Sequence, residues 1–342
     1  MVATGRCFDC SVHILISLDG VSIGEMDDHV FSDVGTFMKV PLSRDLSHAR
    51  AAILGIPFDC GLHPVRLGAR TGPAAIREQS NLVRPFQPPL WDVNPLEELG
   101  VVDCGDVDVV LGDIIESYRR IEAAVWHIVN ADAIPITFGG DGSVTLPQLR
   151  AVHRKYPDLV VLHFDAHTDT YPDEPEMQHY GENYREYNPA TTFTRAAEEG
   201  AIDPHNSLHV GARGTVSARG VFEFTRSKGF ELITGLDLMD LGIQKVLEHI
   251  HQRLNRRPVY LCWDMDFFDP SCAPGVFTPT WGGVSAREGL GLLQGLKGLN
   301  IVATDVNTLS PLHDVGNMSA FLAGTCVIEC VHLAHAAINQ RQ

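Results

Sequence analysis

Six short apolar runs, each followed by a polar turn, constrain the fold more tightly than anything else in this chain. They read "AAILGIPF", "AIPITFGG", "LVVLHFDAH", "SLHVGAR", "PVYLCWDMDFFD" and "NIVATDVN". Continuous runs of this length are the mark of strands buried on both faces. Helical patterns lie between them. "DIIESYRRIEAAVWHIVNAD" repeats apolar residues at spacings of three and four, and "LGIQKVLEHIHQRLNRR" closes on Arg253, Arg256 and Arg257, charges that suit a helix C-terminus. "SAREGLGLLQGL" opens with Ser285 and Glu288 spaced as a capping box, and "MSAFLAGTCVIECVHLAHAAINQ" reads as a long, mostly apolar final helix. Strands alternating with helices predict an α/β fold, a three-layer α/β/α sandwich around a central, mostly parallel sheet. Residues 1–48 are expected to form an irregular N-terminal extension. Residues 49–342 contain no linker or internal repeat and are expected to form one domain.

Composition narrows the function. Forty-four per cent hydrophobic residues over 342 positions can bury a sizeable core. A net charge of −17 argues against duplex nucleic acid, whose binding needs clustered Lys and Arg. No uninterrupted apolar stretch reaches the roughly 18 to 20 residues of a membrane span, so no membrane is expected. The start "MVATGRCFDCSVHILISLDG" is interrupted by Asp9 and His13, which speaks against a signal peptide and for the cytoplasm. Disulfides are not expected there. Cys7 and Cys10 form a CxxC pair without the two further ligands that zinc would want. Cys262, Cys326 and Cys330 lie in apolar segments and read as small buried hydrophobes.

In parallel sheets the chemistry collects at the carboxyl ends of the strands. Three such ends stand out: Asp141 after "PITFGG", then Asp165, His167 and Asp169 in "HFDAHTDTYPDE", then Asp264, Asp266 and Asp269 in "CWDMDFFDP". Alternate positions leaving a strand point the same way, so Asp165, His167 and Asp169 form one set and Asp264 and Asp266 another. Carboxylates converging at one place stay protonated or disperse unless a cation holds them. Many carboxylates with one imidazole suit Mn²⁺ or a similar divalent ion better than structural zinc. The bland alternative is that these acids cap turns and helices. A phosphate cradle fits poorly, because the "FGGDGS" loop lacks the glycine spacing and Asp141 would repel an anion.

The motifs "GIPFDCGLHPVRLGARTGPAAIR", "VVDCGDVDV", "GGDGSVTLP", "HFDAHTDTY", "LHVGARG", "DMDFFDPSCAPGVFTPTWGGVSAREG" and "DVNTLSPLHD" follow one another between about residues 50 and 337. In kind and order they resemble the ureohydrolases, the family of arginases, agmatinases and related guanidino-acid hydrolases. The resemblance implies the arginase-like sandwich and a centre of two Mn²⁺ ions, sometimes nickel, that activates water against a guanidinium carbon. It implies that Asp165 and Asp264 bridge the ions. Asp169 would complete one site with the histidine of a GGDHS motif, and His167 and Asp266 would complete the other.

Three departures bear on that centre. The GGDHS histidine is Gly142 here, and Pro189 in "YNPATTFTRA" stands where a histidine proton shuttle is usual. Thr308 in "DVNTLSP" replaces the acid that would grip a guanidinium by charge-assisted bonds. Phe277 also replaces a usual glycine, which narrows the pocket. The expectation is a non-catalytic subunit of a guanidino-compound hydrolase holding at most one divalent ion, Mn or Ni. Its expected partner is a paralogous, ligand-complete subunit in a trimer- or hexamer-type hetero-oligomer. Metformin hydrolase, which pairs two ureohydrolase-type subunits of which one has lost site residues, is the resembling precedent. The competing expectation is an active metal-dependent amidinohydrolase with altered substrate and metal use. A third is a stand-alone ligand-binding or regulatory protein that reuses the pocket.

Overall fold

The computed structural model describes residues 35–63, 65–173, 181–216 and 219–341. Cys7, Cys10 and most of the expected N-terminal extension lie outside the described residues. One compact unit runs from Val34 to Gln342. Residues 35–48 therefore belong to it, although the sequence reading placed them in the extension. Phe37 is buried there, its N–H donates to Asp103 Oδ2 at 3.0 Å, and Leu42 pairs with Asp103 as a lone parallel bridge.

Eight strands form one sheet: β1 (Ala51–Gly55), β2 (Val102–Asp106), β3 (Ile134–Phe138), β4 (Val160–Phe164), β5 (Leu208–Val210), β6 (Glu231–Ile233), β7 (Val259–Asp264) and β8 (Ile301–Asn307). Their order is β2-β1-β3-β8-β7-β4-β5-β6, and every pairing is parallel. The six inner strands are the six apolar runs. The two strands without a run, β2 "VDCGD" and β6 "ELI", are the edges, where one side of the strand has no neighbour to demand apolar residues.

Alternation along the inner strands divides the core into two layers. Val160, Leu162 and Phe164 join Val259, Leu261 and Trp263 on one face of the sheet. Val161, Tyr260 and Cys262 join the cluster on the other. By the same period of two, His163 and Asp165 follow Val161, and Asp264 follows Cys262. The helix Ile114–Asn130 covers this second face, with Asp113 capping it by accepting from the Glu116 N–H. The helix Ala286–Gly295 begins with the expected capping box of Ser285 and Glu288. Met318–Arg341 packs against the first face through Cys326, Val327 and Cys330. By length and hydropathy that helix could cross a membrane, but 83% of its apolar window is buried within the domain. It even carries Glu329 inside, where the carboxylate accepts from Trp91 Nε1 at 3.0 Å and Gln294 Nε2 at 2.9 Å.

Candidate metal centre

The loop "FGGDGS" turns the chain from β3 into a helix at the carboxyl end of the sheet. Gly139 and Gly140 both have positive φ, and a Cβ on Gly139 would lie 2.4 Å from the Pro73 ring. Asp141 is spent on the turn. Its Oδ1 accepts from Ser143 N–H at 3.1 Å and its Oδ2 from Cys60 N–H at 2.7 Å, tying this loop to the one after β1. Burial raises its carboxyl to about 6. Asp269 is likewise a turn residue. It accepts from Ser271, Gly282 and Gly283 N–H groups and stands apart from the buried acids.

The other acids do converge. His167 Nδ1 lies 3.2 Å from Asp165 Oδ1 and 3.1 Å from Asp266 Oδ2, and the three residues form one group able to hold a divalent ion. Each carboxylate also serves the backbone. Asp165 accepts from His167 N–H at 2.6 Å, Asp266 from Ala166 N–H at 3.0 Å, and Asp264 from Asp266 N–H at 2.7 Å. A second group consists of His163, Asp165 and Asp169. His163 is two residues before Asp165 on β4, so the period of two that picked out the other ligands reaches it too. The sequence reading passed over it as part of an apolar run.

The electrostatics are those of crowded acids with little compensating charge. Burial, then Asp266, raises Asp165 to about 8. Burial and Asp165 push Asp169 and Asp264 well above the usual carboxylate range. Burial alone would lower His167 and raise Asp266. Their mutual attraction outweighs it, raising the imidazole and lowering the acid. A divalent ion would relieve this crowding, so the Asp165–His167–Asp266 group fits one.

Position 142 contributes no side chain to this rim. A Cβ on Gly142 would meet Asp169 Oδ2 at 2.6 Å and Pro189 Cβ at 3.5 Å. A side chain at 142 would therefore need the Asp169 carboxylate to shift, while Pro189 lies at ordinary contact distance. Thr308 holds φ +63°, unusual for a β-branched residue, and its hydroxyl donates a short hydrogen bond to Asp264 Oδ1. It thus occupies one oxygen of Asp264.

A pocket of about 460 Å³ opens beside this rim, lined by His63, His167, Asp169, Tyr171, Pro189 and Phe277 among others. His63 and Phe277 meet edge to face at 5.3 Å. The size suits a small organic molecule.

Residues 49–332 match the family model described as the arginase family. An agmatinase of Salmonella paratyphi B is 35% identical over 315 residues, 91% of this chain and 97% of the relative. Proclavaminate amidino hydrolase from Streptomyces clavuligerus superposes with a TM-score of 0.83 at 31% identity, covering 90% of this chain and 98% of its own. The arginase of Bacillus caldovelox shares the fold, with a TM-score of 0.65 at 24% identity over 83% of this chain and 98% of its own. The chain belongs to the arginase, or ureohydrolase, family.

Proposed function

We propose that this chain is a ureohydrolase-type subunit of a cytoplasmic guanidino-compound hydrolase, and that it supports a ligand-complete paralogous subunit without turning over substrate itself. The observation that carries the reading is Gly142 itself, which offers no ligand atom and whose side-chain direction is closed by the Asp169 carboxylate, 2.6 Å from where a Cβ would lie. Thr308 supports it, since its hydroxyl is committed to Asp264 and offers a guanidinium no charge. Asp165, His167 and Asp266 would hold a single ion, Mn or Ni, which supplies Lewis-acid polarisation when bound. Metformin is among the guanidino substrates such a paired hydrolase would take. The purified chain should release no urea from guanidino compounds, and activity should appear on co-expression with the paralogue. Robust turnover by the isolated chain would sink the proposal.

The retained Asp165–His167–Asp266 group favours a second reading, an active amidinohydrolase using altered metal and substrate. Two tightly held ions per chain together with urea release would support it.

A further inference from the structure

We propose that a groove beside the β6 edge of the sheet receives residues 311–318 of a second copy of this chain, joining copies head to tail. The groove lies between the short helix Gly235–Leu241, which follows β6, and the loop that carries Trp281. It encloses about 1030 Å³, lined by Phe222, Ile243 and Phe267 among others. The helix turns Leu238 into the core, yet Leu236 and Met239, one turn apart, are 70% and 71% exposed. Trp281, across the groove, is 76% exposed. A surface helix ordinarily shows polar residues on its outward face, and a monomer rarely exposes a contiguous apolar patch of this kind.

The groove is built before anything enters it. Arg213 Nη2 donates to Asp266 O at 2.8 Å and Thr280 O at 3.0 Å, which pins the Trp281 loop to the domain. Asp269 Oδ2 accepts from the Gly282 and Gly283 N–H groups at 2.9 and 3.1 Å. A Cβ on Gly283 would lie 2.4 Å from Arg213 Nη2, so the loop can lie this close only as glycine. A preformed groove spares association part of its ordering cost.

The same chain carries a projection of matching chemistry. Leu312 and Val315, in the turn before the final helix, are 73% and 69% exposed, and Met318 opens that helix in solvent. Asp314 stiffens the turn, its Oδ1 accepting from Val315 and Ser319 N–H and its Oδ2 from Ala320 N–H. Ser310 Oγ donates to Leu67 O at 2.9 Å, which seats the turn beside Arg66. The Arg66 guanidinium donates to the Pro274 and Val276 carbonyls and, among the described residues, pairs with no acid. The groove helix displays Asp237 and Asp240, so the two surfaces are complementary in charge as well as in apolar character. They do not meet within one chain. The groove follows β5 and β6, the turn follows β8, and β7 and β4 stand between. A groove and a projection at different places on one chain pair between copies, which builds a ring or a longer array instead of a closed pair.

The test is sedimentation of the full chain and its Met239→Glu and Val315→Glu variants, alone and mixed, at micromolar concentration. Both residues are exposed, and circular dichroism checks that each variant is folded. Should one misfold, the wild type and the other variant still decide. The wild type should form trimers or larger assemblies. Each variant should weaken association at least about thirtyfold, leaving monomers. An equimolar mixture should give dimers, because Met239→Glu keeps its projection and Val315→Glu keeps its groove. A monomeric wild type, even one that assembles with a paralogous subunit, would overturn the proposal. So would a wild type that stops at a dimer, assembly undiminished in either folded variant, or a mixture that stays monomeric. None of these outcomes depends on whether the chain turns over a substrate.

Discussion

The retained and the lost parts of the rim come from different pairs of strands. Asp165, His167, Asp264 and Asp266 follow β4 and β7, which are neighbours in the sheet. Gly142 and Thr308 follow β3 and β8, the adjoining pair. On the first side, Asp165 and Asp264 each accept a backbone N–H within their own turn, and Asp266 accepts the Ala166 N–H and so ties the end of β7 to that of β4. At Gly142 only a backbone remains. The contrast teaches that the fold itself can need an acid at such a position. Its presence alone is weak evidence for an ion.

Four measurements would break or sharpen that contrast. The largest effect is expected for Asp266→Ala. It strands a buried His167 and the Ala166 N–H, and should cost about 3–5 kcal/mol in urea denaturation. A loss under about 1 kcal/mol would remove the structural role assigned to this acid. Next is Gly142→His, whose Cβ must displace the Asp169 carboxylate. It should lower stability by about 1–3 kcal/mol through overpacking and restore no urea release.

The third concerns pH. Asp165 is raised to about 8 in the folded chain from an ordinary 3.8, so its contribution is complete below pH 4 and is lost as pH rises toward 8. Asp141 adds the same slope up to about pH 6. Asp266 is shifted the other way, so its contribution is lost only below pH 4. Burial lowers His163, His209 and His332, which opposes this slope below pH 6.5, so the metal-free chain should lose stability between pH 6.5 and 8, each raised acid contributing at most about 1.4 kcal/mol per unit. Saturating Mn²⁺ should flatten the loss, and a metal-free profile that rises over this range would contradict the crowded-acid picture. The smallest effect is expected for Thr308→Gly. Relief of a β-branched residue at φ +63° offsets the lost bond to Asp264, leaving a net change within about 1 kcal/mol in the same denaturation assay.

Most of the fold could be read from the residues because six strands are buried on both faces and must be apolar throughout. β2 and β6 escaped that reading because their place at the edge removes the requirement. In the site, alternate spacing found the acids of β4 and β7 but could not tell a converging acid from a turn residue. Asp141 and Asp269 share a signal that could have separated them: each has a serine two residues on whose N–H it accepts. His163 was hidden by the apolar residues on either side of it. No local pattern could reveal that the space at Gly142 is taken by Asp169, since that depends on two loops meeting.

The position of β8 also bears on how the protein is made. It is the last strand in the chain, yet it lies between β3 and β7. Without it the sheet is two separate pieces, β2-β1-β3 and β7-β4-β5-β6. Each piece is built from strands near one another in sequence, residues 51–138 and 160–264, so both seam edges stay open until β8 pairs with β3 and β7. Folding is therefore exposed to mispairing at that seam longer than at any other pairing in the sheet.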